Sequence, residues 1–215
     1  MEEREFCKLD KKFEKKNMIA DAAFEVFMEK GYMATRIIDI AKKAGMGKGT
    51  FYEYFESKES VLLFLIDNRI MTEYKAQLDE VNRAETVKEK LRAYIDAERS
   101  IMEKYGNHMQ DMRNRRPEEC MEFSELIGWK IMEFATMEYK VVHQIAELGV
   151  KTGEFKPLNP NMLAMLIKGG VKTFLVCSTG FPLPYEAPAG LEEALRPENY
   201  TEEEFLEILL HGMAC

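Results

Sequence analysis

The chain has 215 residues, 46% hydrophobic and 32% charged, with a formal net charge of −8, so it can bury a core in one or two domains and is no disordered acidic tail. Thirteen glycines and only seven prolines, with no proline before Pro117, exclude collagen-like and low-complexity chains and argue against an all-β fold built on tight turns. Residues 1–58 carry 12 Lys/Arg against 11 Asp/Glu and residues 59–215 carry 18 against 27, a weakly basic head on an acidic body that suits an anionic partner at one end.

Helical periodicity runs through almost the whole chain. The first helix is expected from about Lys15 to Lys30, with Ile19, Ala23 and Phe27 on one stripe and Gly31 as its stop. Thr35 is read as the cap of a short helix whose apolar positions are Ile37, Ile40, Ala41 and Ala44, ended by Gly45. A second short helix is expected from about Gly47 to Tyr54, anchored by Phe51 and Phe55. Ser57 caps a helix that can run to about Val81. An amphipathic helix from Thr86 to Tyr105 is expected to break at Gly106-Asn107, and a long one runs from Pro117 to about Val150. An apolar helix follows from Asn161 to Cys177, then a proline-rich loop from Ser178 to Asn199 with one helical turn near Leu191. Thr201 and Glu204 form the capping box of a last helix ending at Met213.

The informative segment is Thr35 to Lys58. A helix-turn-helix needs a small residue where its helices cross, a glycine about four residues later for the turn, and apolar anchors in the second helix. Ala41, Gly45, Met46 and Phe51 meet those demands in order. The exposed face of the second helix then presents Lys48, Thr50, Tyr52 and Tyr54, donors suited to phosphates and base edges.

From Ala23 to Leu62 the sequence resembles the DNA-binding head of the TetR family of transcriptional regulators. The shared elements are Phe-x-x-x-Gly-Tyr, Thr35, Asp39-Ile40-Ala41, Ala44-Gly45, Lys48-Gly49-Thr50-Phe51-Tyr52, Tyr54-Phe55 and Ser57-Lys58-Glu59. The resemblance implies an all-α homodimer with an N-terminal three-helix helix-turn-helix head over residues 1–60. A C-terminal helical domain over 61–215 would then bind a small-molecule effector and supply the dimer interface. It also implies that Lys48, Gly49 and Thr50 start the recognition helix in the major groove. Tyr52, Tyr54 and Lys58 would meet backbone phosphates of a palindromic DNA operator, and Thr35 would cap its helix against one. Arg36 departs from the small hydroxyl residue usual there; it is either a further DNA contact or a solvated side chain. The Lys8, Lys11, Lys12, Lys15 and Lys16 cluster is likewise either an arm near the DNA backbone or a solvated helix start.

Beyond the head the family pattern places Trp129, Met132, Tyr139 and His143 on a segment lining the effector cavity, with His108, Arg113 and Arg115 as polar anchors. Gly169-Gly170 marks close packing between helices or at a dimer interface. The stripe of Phe205, Ile208 and Leu209 predicts a four-helix bundle with a second copy, the alternative being that it closes the chain's own core. Three scattered histidines without HExxH, and no GxSxG, P-loop or dinucleotide fingerprint, leave no catalytic constellation, metal site or cofactor motif. Cys7, Cys120, Cys177 and Cys215 lack CxxC spacing and read as thiols of a reducing compartment. With a charged start and Lys168 and Lys172 interrupting the greasiest stretch, the chain reads as cytoplasmic and free of membrane spans. The expected function is a repressor released from DNA by a largely apolar effector. Two rivals remain, a constitutive architectural or activating DNA-binding factor and a helical ligand-binding protein with a vestigial DNA head.

Overall fold

The computed structural model describes residues 2–113, 117–179 and 196–212, with side chains described for 11–105, 125–179 and 196–212. Every regular element among them is helical. The chain forms two compact units, 1–73 with 111–128, and 74–110 with 129–215. The expected turn near Leu191 and the end of the last helix at Met213 lie outside the described residues.

The first unit contains α1 (Glu2–Lys30), α2 (Ile37–Lys43), α3 (Lys48–Tyr52) and α4 (Lys58–Leu65). Helix α1 packs on both α2 and α4. The core they enclose is Ile19, Ala20, Ala23, Ile40, Ala41, Phe51, Phe55, Val61 and Leu65, so residues of α4 complete the head. Helix α1 begins far upstream of Lys15, because residues 2–14 contain neither glycine nor proline to stop it. Helix α3 is shorter than expected: Gly47 is its extended N-cap, and the chain leaves the helix at Glu53. Ser57 caps α4 as expected, its Oγ accepting from the Ser60 N–H at 3.1 Å. The helix expected to reach Val81 is interrupted by a π-helical turn, Ile66–Ile70, before α5 (Met71–Arg83). Arg69 lies within that turn, pairing with Asp21 at 3.2 Å and lying 4.2 Å over the Phe24 ring.

The second unit is built on α6 (Val87–Arg113), α7 (Pro117–Thr152), α8 (Pro160–Ser178) and α9 (Glu202–His211). Helix α6 runs through Gly106, contrary to the expected break, since one glycine costs only about 1 kcal/mol in a helix otherwise well patterned. Helix α7 ends where Gly153 adopts a φ of +79° and Phe155 folds back, its N–H donating to the Gly149 carbonyl at 2.9 Å. Asn159 caps α8, accepting from the Asn161 N–H at 2.9 Å. Leu163, Ala164, Ile167, Val171, Phe174 and Leu175 of α8 are buried, so core packing accounts for one face of this apolar helix, while Met162, Met165 and Leu166 lie exposed on another. At Gly170 a methyl group would lie 3.5 Å from Phe205, whose ring stacks on Phe174 with centroids 4.4 Å apart. Gly169 faces open space instead. Leu206 and Leu209 of α9 enter the chain's own core, so Leu209, expected at a partner face, closes the monomer.

Candidate nucleic-acid interface

Helix α2 must stop and turn within four residues for α3 to cross it, and the backbone shows how. The Ala44, Gly45 and Met46 N–H groups donate to the Ile40, Lys42 and Ala41 carbonyls at 2.9, 3.1 and 2.9 Å. Gly45 supports this with a φ of +67°, a conformation that costs a residue with a Cβ. Ala41, fully buried, leaves room at the crossing, and fully buried Phe51 pins α3 from beneath. With Phe51 inward, Lys48, Gly49 and Tyr52 are exposed and Thr50 and Tyr54 half-buried. The Lys48 ammonium stands 5.8 Å from the Tyr52 ring. The surface combines a cation, a phenol and a bare stretch of backbone at Gly49, against which no protein atom packs.

Two expected contacts are placed otherwise. Thr35 is buried, and its Oγ1 donates to the Gly31 carbonyl at 2.7 Å; it ties the turn together rather than capping α2. The N-cap is Arg36, whose N–H donates to the Asp39 carboxylate at 3.1 Å. That bond, with Lys30 at 3.3 Å, holds the Asp39 carboxyl below its ordinary pKa. The Arg36 side chain is exposed and forms no ion pair within 4.0 Å among the described residues. The Lys58 ammonium turns toward the protein, donating to the carbonyls of Tyr32, Thr35 and Met33 at 2.9, 3.2 and 3.4 Å and lying 4.3 Å over the Tyr32 ring. Burial pushes its pKa below the ordinary lysine value. The Tyr32 hydroxyl donates to Glu59 at 3.1 Å, and burial first, then the Glu59 charge, raises its pKa. Lys43 bridges α2 to Glu25 and Glu29 of α1 at 2.7 and 3.2 Å. Sequence reasoning named Tyr32 and Ser57-Lys58-Glu59 as family elements but missed that they form one clamp.

In the second unit, Trp129, Met132 and Tyr139 lie exposed on one face of α7 beside half-buried His143. The Tyr139 hydroxyl bonds to Asn161, and its ring lies 5.7 Å from that of His143. His108, Arg113 and Arg115 lie outside the described side chains. The polar groups buried in this unit were not singled out from sequence. Glu138, 4% exposed, accepts from the Tyr94 hydroxyl at 2.7 Å and pairs with Lys168 and Lys172 at 2.7 and 3.1 Å. Glu98 accepts from the Tyr74 hydroxyl at 2.6 Å, with Lys172 at 4.0 Å. Burial, then the nearby Glu138 charge, raises the Glu98 pKa above the usual carboxylate value.

Residues 19–64 match the family described as bacterial regulatory proteins, tetR family. The fatty acid metabolism regulator protein of Bacillus subtilis is 30% identical over 138 residues, 64% of this chain and 69% of that one. The transposon Tn10 TetC protein of Escherichia coli is 29% identical over 153 residues, 70% of this chain and 73% of that one. In fold, the chain resembles the transcriptional regulator FadR of B. subtilis in complex with stearoyl-CoA, at a TM-score of 0.57 and 24% identity over 91% of this chain and 97% of that one. With a helix-turn-helix built as described and this likeness running past it, the chain belongs to the TetR family and is a DNA-binding transcriptional regulator.

Proposed function

We propose that this regulator is a cytoplasmic repressor that holds a palindromic operator as a homodimer and releases it on binding a long-chain acyl compound. The observation that carries the effector class is the 138-residue similarity to a fatty acid metabolism regulator. That length is too great to fit within a head ending near residue 64, so the likeness extends into the second unit. Residues 1–60 read DNA, with Arg36, Lys48, Gly49, Thr50, Tyr52 and Tyr54 at the duplex and Thr35 and Lys58 positioning them. Residues 61–215 supply the effector site and the partner face. An exposed apolar strip supports the dimer: Met162, Met165 and Leu166 on α8 with Ile208 on α9, beside the open side of Gly169.

In such a dimer the two recognition helices enter successive major grooves about 34–36 Å apart. The effector favours a separation that no longer matches, and near-complete release requires it to prefer that state by about 5.5 kcal/mol. The test is to select an operator from a random-sequence duplex pool and titrate the complex with stearoyl-CoA. Release at stoichiometric acyl-CoA supports the reading. A complex that survives saturation with stearoyl-CoA and shorter acyl-CoAs overturns the effector assignment and leaves a constitutive DNA-binding factor.

A further inference from the structure

The cations of the head sort into two sets. Lys30, Lys43 and Arg69 each pair with a carboxylate at 3.3, 2.7 and 3.2 Å, and Lys58 is bonded to carbonyls. Lys11, Lys12, Lys15, Lys16, Arg36, Lys42 and Lys48 pair with no carboxylate among the described residues. Three of this second set lie on the helix-turn-helix segment that faces DNA. The other four lie together near the start of α1.

At about 100° per residue, Lys11, Lys12, Lys15 and Lys16 fall within one arc of about 140°, and Glu14, the one acid among residues 11–16, falls outside it. The arc continues upstream the stripe that buries Ile19 and Ala23, so it begins where α1 outruns the core of the head. Lys16 joins this row to the DNA-reading end. Its ammonium lies 5.2 Å from the Phe55 ring, and Phe55 is three residues beyond exposed Tyr52. Lys11 and Lys12 are exposed and Lys15 half-exposed. Because residues 59–215 carry 27 acids against 18 bases, the body repels a polyanion, and attraction must come from unpaired cations of the head.

We infer that Lys11, Lys12 and Lys15 form a second, sequence-independent DNA contact, a clamp on backbone phosphates flanking those met by the recognition helix. The inference rests on α3 reading DNA, and it adds charge neutralisation without base recognition. It can be tested without knowing the operator, since nonspecific binding is almost wholly electrostatic. The probe is a mixed-sequence duplex of about 40 base pairs, titrated at several salt concentrations with the full chain.

Replacing Lys11, Lys12 and Lys15 together by Gln should weaken binding at least tenfold at low salt. It should also flatten the slope of log K against log salt by about 0.9 for each lysine that meets a phosphate. The corresponding triple Arg variant should keep the wild-type slope. Helical circular dichroism should be the same for both variants, because these side chains contribute nothing to the core. An unchanged slope in the Gln variant, with Lys48→Ala still weakening binding, overturns the clamp and leaves the recognition helix in place. If Lys48→Ala and the Gln variant both bind as wild type does, the placement of α3 fails too, and the clamp with it.

Discussion

A methyl group on Gly49 would meet no atom of the chain within 4 Å, so nothing inside the protein requires glycine there. Alanine should leave the head folded, or firmer by up to about 1 kcal/mol through helix propensity. Operator affinity should nevertheless fall, because the bare backbone is where a duplex can come closest. Thermal unfolding and DNA titration of Gly49→Ala separate the two effects; unchanged affinity would remove Gly49 from the interface. Lys58 should behave in the opposite way. Lys58→Met keeps the buried stem but loses its bonds to three carbonyls, and charged hydrogen bonds contribute about 1.5–3 kcal/mol each, less what water restores. Chemical denaturation should register the destabilisation, while the salt slope of DNA binding stays as it was. Glu98 carries a pH prediction. Its folded pKa lies above the unfolded one, so its favourable contribution is complete at pH below the unfolded value and is lost as pH rises through the folded value. Glu98→Gln, which keeps an acceptor for Tyr74, should therefore unfold at a higher temperature than wild type near neutral pH, and the gap should close on acidification. A gap independent of pH would mean that the Glu98 carboxyl binds its proton equally well in the folded and unfolded chain.

At the scale of single elements, two helix starts were legible as read, those at Ser57 and Thr201. Each caps its helix because a short side-chain oxygen reaches a free N–H three residues on, a purely local event, and Asn159 does the same two residues on for α8, although it was not singled out. Even there a detail differs: the Glu204 carboxylate accepts from the Thr201 hydroxyl at 2.8 Å rather than from its N–H. Thr35 misled because a threonine before a helix reads as a cap, whereas its hydroxyl found the Gly31 carbonyl of the preceding turn. The Tyr94–Glu138 bond joins residues 44 apart, and no local pattern announces a pairing made by the packing of separate helices. The outward placement of Lys48 and Tyr52 was legible because motif spacing turns Phe51 inward, while the clamp beneath them depends on the turn after α1 meeting α4. Gly149 offers a sharp test of an element. A Cβ there would fall 2.2 Å from the Phe155 ring, so Gly149→Ala must expel that buried ring from the end of α7. The expected loss is about 1–3 kcal/mol in equilibrium unfolding, and a neutral result would show that Phe155 can repack.

At the scale of the whole molecule, the predictions concern assembly. Leu209 is unsuited to testing the dimer, because a charge there would damage the chain's own core. Ile208, 66% exposed, and Met165, 57% exposed, are the positions that separate the two effects. Ile208→Glu or Met165→Glu should sediment as a folded monomer with unchanged helical content. Its operator affinity should fall steeply, since one head makes half the contacts and a palindrome rewards two. An intact dimer in both variants would place the partner elsewhere.

Trp129 is the chain's single tryptophan, 55% exposed on α7 with the Lys130 ammonium 4.0 Å over its ring. The protein thus carries one built-in optical probe, and its emission reports on one helix face alone. The isolated chain should emit at the long wavelengths of a wet indole and be readily quenched by acrylamide. Anything that settles on that face should shift the band to the blue and shield it, while local melting of the DNA head should pass unseen.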